Sequence, residues 1–176
     1  MMSIVYIFWM FVILFAVIGA MRGWAKELLV AFSAITALAL NLLMEKYIPI
    51  VRDLPDNATS LFWIRSITLI SLVYFGYQTV ASVARLASKA SRERLQDTLF
   101  GGVLGGVNGY LVAGTLLFYY YVAEYPYTNV IAPPTDPAIK QAIDVMMTYM
   151  PPRLFGEPGI YFAVIIILIF IIIVYV

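Results

Sequence analysis

Residues 4–44 read IVYIFWMFVILFAVIGA, then MRGWAKE, then LLVAFSAITALALNLLM, two apolar runs on either side of a short charged turn. At about 1.5 Å per residue, each run of 17 residues makes a helix of about 25 Å. That length approaches the roughly 30 Å hydrocarbon layer of a bilayer. In the turn, Arg22, Lys26 and Glu27 arrive together with Trp24, an aromatic ring suited to the headgroup boundary. So few residues separate the runs that the two spans are expected to form an antiparallel helical hairpin, closed at its far end by Glu45 and Lys46.

The same grammar repeats along the chain. After a polar loop holding Pro49, Arg52, Asp53, Pro55 and Asp56, a third span is expected over about Ile64 to Leu86. It leads into the basic segment Ser88 to Arg94, which can stay helical beyond the bilayer. A fourth span covers about Leu99 to Val122 and ends among Tyr119, Tyr120, Tyr121, Tyr125 and Tyr127, read as an interfacial aromatic belt. A Pro-rich stretch follows, in which Asp136 suits an N-cap and Pro137 the first helical position. There Ile139, Ile143, Met146, Met147 and Met150 share one helical face, which predicts a short amphipathic helix on the membrane surface. Ile160 to Val176 is apolar throughout and reads as a fifth span whose flanking anchors are Tyr161 and Tyr175. The expected fold is all-α. It is a polytopic membrane bundle of four core helices over 1–125, an extracytoplasmic segment with the interfacial helix over 126–159, and a C-terminal span over 160–176.

Composition agrees with the patterning and removes whole classes of function. Of the 176 residues, 63% are hydrophobic and 12% charged, against about 45–50% and about 25% in soluble domains. The lack of Cys and His removes thiolate nucleophiles, imidazole bases and the usual zinc and iron ligands, so no cofactor or metal is expected. Net charge of +1 gives no reason to expect nucleic acid. The N-terminal run has no Lys or Arg before it and is too long for a signal core, so it is read as a retained helix. With the N-terminus outside, the cytoplasmic side holds six basic residues (Arg22, Lys26, Arg85, Lys89, Arg92, Arg94) and the opposite side five. The excess, concentrated in short loops, favours that orientation.

Two patterns inside the spans carry information. Gly101, Gly105 and Gly109 fall in one register of a small-xxx-small ladder, with Gly102 and Gly106 in the other. Glycine at every fourth position strips side chains from a helical stripe, so another backbone, of this chain or of a partner, can approach closely. In the third span, Ser71, Tyr74, Gln78, Ser82, Arg85, Lys89 and Arg92 recur at steps of three and four, a polar stripe expected to face the bundle interior, a cavity or another protein. Asn41 and Asn108 are the other strongly polar groups at depth, and no Asp or Glu is expected inside the four clear spans. Asp97 is expected at the start of the fourth helix as its cap, on the same side of the bilayer as the Arg22 turn.

Arg22-Gly23-Trp24-Ala25-Lys26-Glu27, together with Asp97-Thr98-Leu99-Phe100-Gly101 and the following Gly105 and Gly109, resembles the colicin V production (CvpA) family of bacterial inner-membrane proteins. The first segment is similar to that family's Arg-Gly-aromatic-basic-Glu turn, the second to its Asp and glycine ladder, and the likeness spans about residues 1–125. It makes Arg22, Gly23, Glu27 and Asp97 the motif positions. It implies a multi-pass protein of the bacterial cytoplasmic membrane linked to toxin export or envelope maintenance. Two features depart from the pattern: Asn108 stands where family members often have Arg, and an amphipathic segment and a fifth apolar run follow the four-span unit.

The leading expectation is a non-enzymatic membrane component that supports assembly or export by packing helices, with the lipid bilayer and other membrane subunits as partners. Two further readings stand beside it. One is a small channel or carrier along the polar stripe; the other is an accessory subunit of a respiratory or photosynthetic complex bounding a quinone path.

Overall fold

A computed structural model describes residues 4–87 and 94–175, with side chains over 4–78 and 95–175. Among the described residues the secondary structure is helical: α1 (Ile4–Arg22), α2 (Trp24–Tyr47), α3 (Pro49–Arg52), α4 (Thr59–Ala87), α5 (Arg94–Val122), α6 (Pro137–Thr148), α7 (Pro151–Leu154) and α8 (Gly159–Tyr175). Four of these, α1, α2, α4 and α5, are long and apolar enough to cross a membrane. This is the all-α bundle that the sequence predicts.

The break between α1 and α2 is a single residue. Gly23 sits at φ 88°, in the left-handed region that costs a side chain energy, and there the chain reverses. The two helices are nevertheless a poor hairpin. They touch chiefly near the turn, and α1 leans its whole length on α5 instead. Two helices therefore form the centre. α2 presents an alanine-rich face (Val30, Ala31, Ala34, Ala37, Leu38) to Leu69 and Val73 of α4, Leu111 and Val112 of α5, and Ile160 of α8. α5 carries α1 on its other side.

Buried polar clusters mark both ends of α2, around Glu27 and around Glu45. Eighteen positions separate them, about 27 Å at roughly 1.5 Å per residue, close to the thickness of a hydrocarbon core. Ala25 and Lys46 bracket the same length and hold α8 along it. Lys46 Nζ pairs with Glu157 Oε2 at 2.9 Å at one end, and Tyr175 Oη donates to the Ala25 carbonyl at 2.6 Å at the other. α8 thus runs antiparallel to α2 from end to end. Tyr161, the other aromatic expected to anchor it, donates to Glu157 at 2.7 Å. Both expected anchors bind protein groups.

Beyond α5, Asp136 caps α6 through the Ala138 N–H at 2.7 Å, with Pro137 in the first turn as expected. The apolar face of α6 turns to protein: Ile143, Met147 and Met150 are buried against Ile4 and Phe8 of α1 and Leu117 of α5, while Ile139 stays exposed. The helix lids the Glu45 end of the bundle with its apolar side covered. The aromatic belt needs a similar correction. Tyr119, Tyr120 and Tyr125 are buried within the bundle, and Tyr120 Oη ties down the following loop by donating to the Tyr127 and Ile131 carbonyls at 2.5 and 3.1 Å. The hydroxyls of Tyr119 and Tyr120 find partners inside, so those rings need not reach the headgroups.

Candidate functional site: a glycine seam closed by a buried ion pair

The ladder on α5 faces α1. A methyl group built on Gly105 would stand 2.9 Å from Gly19 Cα and in hard collision with the Phe15 carbonyl oxygen. One on Gly101 would collide with the Gly19 carbonyl, and one on Gly109 would come 2.8 Å from Val12 Cα. This register admits no side chain, because the neighbouring atoms are backbone. The second register is looser: Gly102 looks onto the Ala20 Cβ at 3.5 Å and Gly106 onto the Ala16 Cβ at 3.7 Å, ordinary contacts. The seam is therefore reciprocal, with Ala16, Gly19 and Ala20 as the small stripe on α1. The first register of the ladder packs within the chain, against α1. The α1 half was missed, although Ala16, Gly19, Ala20 and Gly23 form a comparable small-residue pattern.

At the turn end of the seam the motif residues converge. Glu27 is wholly buried, and it accepts from Arg22 Nη1 at 2.7 Å and from Asn108 Nδ2 at 2.8 Å. The Asn108 amide also donates to the Glu27 carbonyl at 2.9 Å. Arg22 lies over the Tyr77 ring, 4.2 Å from its centroid, so the third core helix joins the cluster through a cation–π contact. Glu27, placed by the sequence reading in an interfacial turn outside the spans, is thus enclosed by the bundle. A charge there is tolerable because a guanidinium neutralises it and an amide supplies a further hydrogen bond. Asn108, where the family resemblance leads one to expect Arg, is a neutral donor to the same carboxylate. Among the described residues the positive charge on this carboxylate comes from Arg22.

Asp97 behaves differently from its expected role. It lies within the first turn of α5, and its carboxylate accepts from the Trp24 N–H at 3.1 Å. It caps α2, whose own cap position is glycine and has no side-chain oxygen to offer. A methyl on Gly23 would strike this carboxylate at 2.5 Å, so the glycine is required by its φ and by its neighbour together. The Arg22 and Asp97 turns lie on one side of the bundle, as the topology predicts.

A second polar cluster occupies the far end of α2. Arg65 binds both oxygens of Glu45, at 2.6 and 2.9 Å, in the forked geometry that matches a guanidinium to a carboxylate. Asn41 joins the Arg65 carbonyl and the Tyr119 hydroxyl, each at 3.1 Å. Beside it is a cavity of about 280 Å³ bounded by α2, α4, α5 and α7.

Among the described residues, the polar stripe does not line an interior path. Ser71, Tyr74 and Gln78 are exposed on the outer side of α4, and the side chains of Ser82 and Arg85, with Lys89 and Arg92, fall outside the described residues. The inward face of α4 at this depth carries Leu69, Val73 and Gly76 instead, the glycine set against Ser33 of α2. Helix α4 also runs nine residues past Gln78, where the Arg22 cluster closes the bundle, so its end projects beyond that level.

Four apolar helices, two of them locked by backbone-to-backbone packing, with ionic clusters at the two ends of α2, define a multi-pass membrane protein. The sequence model for the family described as Colicin V production protein matches residues 4–143, and this chain belongs to that family. The match runs past residue 125 and into α6. Comparison with curated proteins and with solved structures returned no match. Membership links the protein to colicin V production.

Proposed function

We propose that this protein is a non-enzymatic component of the bacterial cytoplasmic membrane that supports toxin export, envelope maintenance or complex assembly by offering a fixed helical surface to other membrane subunits. The observation that carries this reading is the division of labour between helices. The glycine ladder is used up inside the chain, against α1, whereas the outer face of α4 leaves Ser71, Tyr74 and Gln78 without cover from the bundle. Polar side chains on a bundle exterior are better served by a protein partner than by lipid tails. We place the Arg22 end in the cytoplasm, with the N-terminus outside, because the basic residues of the short loops gather there. On that placement α8 makes a fifth crossing.

The test is site-specific photo-crosslinking in native membranes at natural expression level. A reactive residue at Ser71, Tyr74 or Gln78 is expected to trap a discrete protein band, while one at Ile13 or Val17, on the exposed apolar side of α1, traps lipid. Lipid adducts alone at all three α4 positions would sink the proposal.

A further inference from the structure

The cavity at the Glu45 end holds two carboxylates and two guanidinium groups, of which Arg65 and Glu45 form the one close pair. Arg65 spends its charge on both oxygens of Glu45. Asp56, whose side chain is 88% exposed, reaches Arg65 only at 3.7 Å. Arg153 of α7 lies over the Phe118 ring at 5.9 Å and, among the described residues, meets no carboxylate. One wall thus offers a cation with no counter-ion and another a loosely held anion. Phe118, Tyr119 and Phe155 line the same cavity. The complement of such a site is a zwitterion carrying an ammonium and an oxyanion.

Size and depth narrow the source. A space of about 280 Å³ is large enough to take a small polar headgroup. It lies at the level of Glu45, about 27 Å along α2 from Glu27, hence at the boundary where phospholipid headgroups stand. We propose that this cavity binds the headgroup of an amine-bearing phospholipid, with the phosphate on Arg153 and the ammonium on Asp56. A guanidinium is well suited to phosphate because its fork meets two oxygens at once. A primary ammonium keeps donors for the Asp56 carboxylate that a quaternary ammonium lacks. The lipid tails remain outside, along the apolar exterior.

The experiment is lipid retention by the full-length protein, read by native mass spectrometry after exchange into equimolar phosphatidylethanolamine, phosphatidylglycerol and phosphatidylcholine. Phosphatidylethanolamine should be retained about tenfold over the other two, the difference expected of one charged contact of about 1.4 kcal/mol. Asp56→Asn should abolish that preference while leaving some phospholipid bound, and Arg153→Gln should lower retention of all three. Both side chains are exposed, so each variant is expected to fold, and an unchanged helical signal verifies it. Equal retention of the three lipids by the parent protein, or indifference to both substitutions, overturns the proposal. Displacement of the lipid by equimolar free phosphoethanolamine also overturns it, because a soluble zwitterion is then the occupant.

Discussion

Adding one methyl group at position 105 and one at position 106 should have opposite consequences, although the two glycines are adjacent on the same helix. At 105 the new Cβ would lie 2.9 Å from Gly19 Cα and 3.1 Å from Gly19 N, and closer still to the Phe15 carbonyl, where ordinary contacts begin at 3.4 Å. These are backbone atoms and cannot rotate aside. Helix α1 must therefore withdraw by at least about half an ångström, and a radial gap of 0.5–1 Å forfeits roughly a quarter to a half of each dispersion contact along the seam. In lipid no hydrophobic drive closes such a gap. Overpacking of this kind costs about 1–3 kcal/mol, against about 1 kcal/mol gained because alanine is the better helix former. At 106 the new methyl meets the Ala16 Cβ at 3.7 Å, so only the helix-forming gain operates. We expect Gly105→Ala to be less stable than Gly106→Ala by about 2 kcal/mol, roughly thirtyfold in the unfolding equilibrium. Reversible unfolding in mixed micelles, followed by circular dichroism, measures the difference. Equal stability of the two variants would refute the seam as described.

Glu27→Ala leaves Arg22 half-buried without its counter-ion and should cost about 3–5 kcal/mol, while the joint Arg22→Ala, Glu27→Ala variant should recover part of the loss; a double-mutant cycle on the same unfolding assay reads both. Asp97→Ala removes the cap on Trp24 and should destabilise by about 1 kcal/mol, with faster hydrogen exchange at the start of α2 and not at the start of α5. Gly23→Ala should be worse than Asp97→Ala, since it adds backbone strain to the collision with Asp97, and the pair combined should recover only the collision. Hydrogen bonds from Lys46 and then Tyr161 hold the Glu157 carboxyl below its ordinary value of 4.5. A depressed folded value means that the tether between α2 and α8 contributes in full above about pH 4.5 and is lost as pH falls through the lower, folded value. Exchange at the first turn of α8 should rise on acidification in the parent protein and be insensitive to pH in Glu157→Gln.

Spans and turns were legible because lipid imposes a strict code: long apolar runs cross, and charges with Trp or Pro punctuate them. The ladder was legible for a related reason, since a glycine every fourth residue has few uses in a membrane other than close packing. What sequence alone obscured was direction. Ser71, Tyr74 and Gln78 form a good helical stripe, but periodicity states that residues share a face and not which way the face points; Leu69, Val73 and Gly76 form an equally regular stripe and won the interior. Glu27 was hidden by its position in a charged turn, where an interfacial setting is the ordinary one. Only the placement of Asn108, 81 residues later, shows that this carboxylate is enclosed. Asp97 lies 73 residues along the chain from the Trp24 N–H that it caps, a pairing no local rule can reveal.

The distance between partners also accounts for the extreme composition of α1. Its mean hydropathy is 2.6, the highest of the four long helices, and only 17% of its most apolar window is buried. Its partner is α5, so the Gly19 to Gly105 contact closes only after α2 and α4 have been inserted. Until then α1 stands in lipid with no helix to shield it except the turn at Gly23, and every residue from Ile4 to Met21 must tolerate that exposure. α5 meets a different demand. It arrives last of the four, between helices already present, and can carry six glycines, a buried Asn108 and a capping Asp97 because neighbours wait to satisfy each. The small residues of α1 then serve two stages, giving a helix stable alone in the bilayer and, later, a surface flat enough for α5 to reach its backbone. Polar substitution at an exposed position such as Ile13 should accordingly lower the insertion of α1 while leaving the packed seam intact in the molecules that do assemble, whereas substitution at Gly19 should spare insertion and break the seam. Glycosylation-mapped insertion of α1, set beside disulfide trapping of paired cysteines across α1 and α5 in this cysteine-free chain, separates the two. Loss of both signals from either substitution would show that the stages are one.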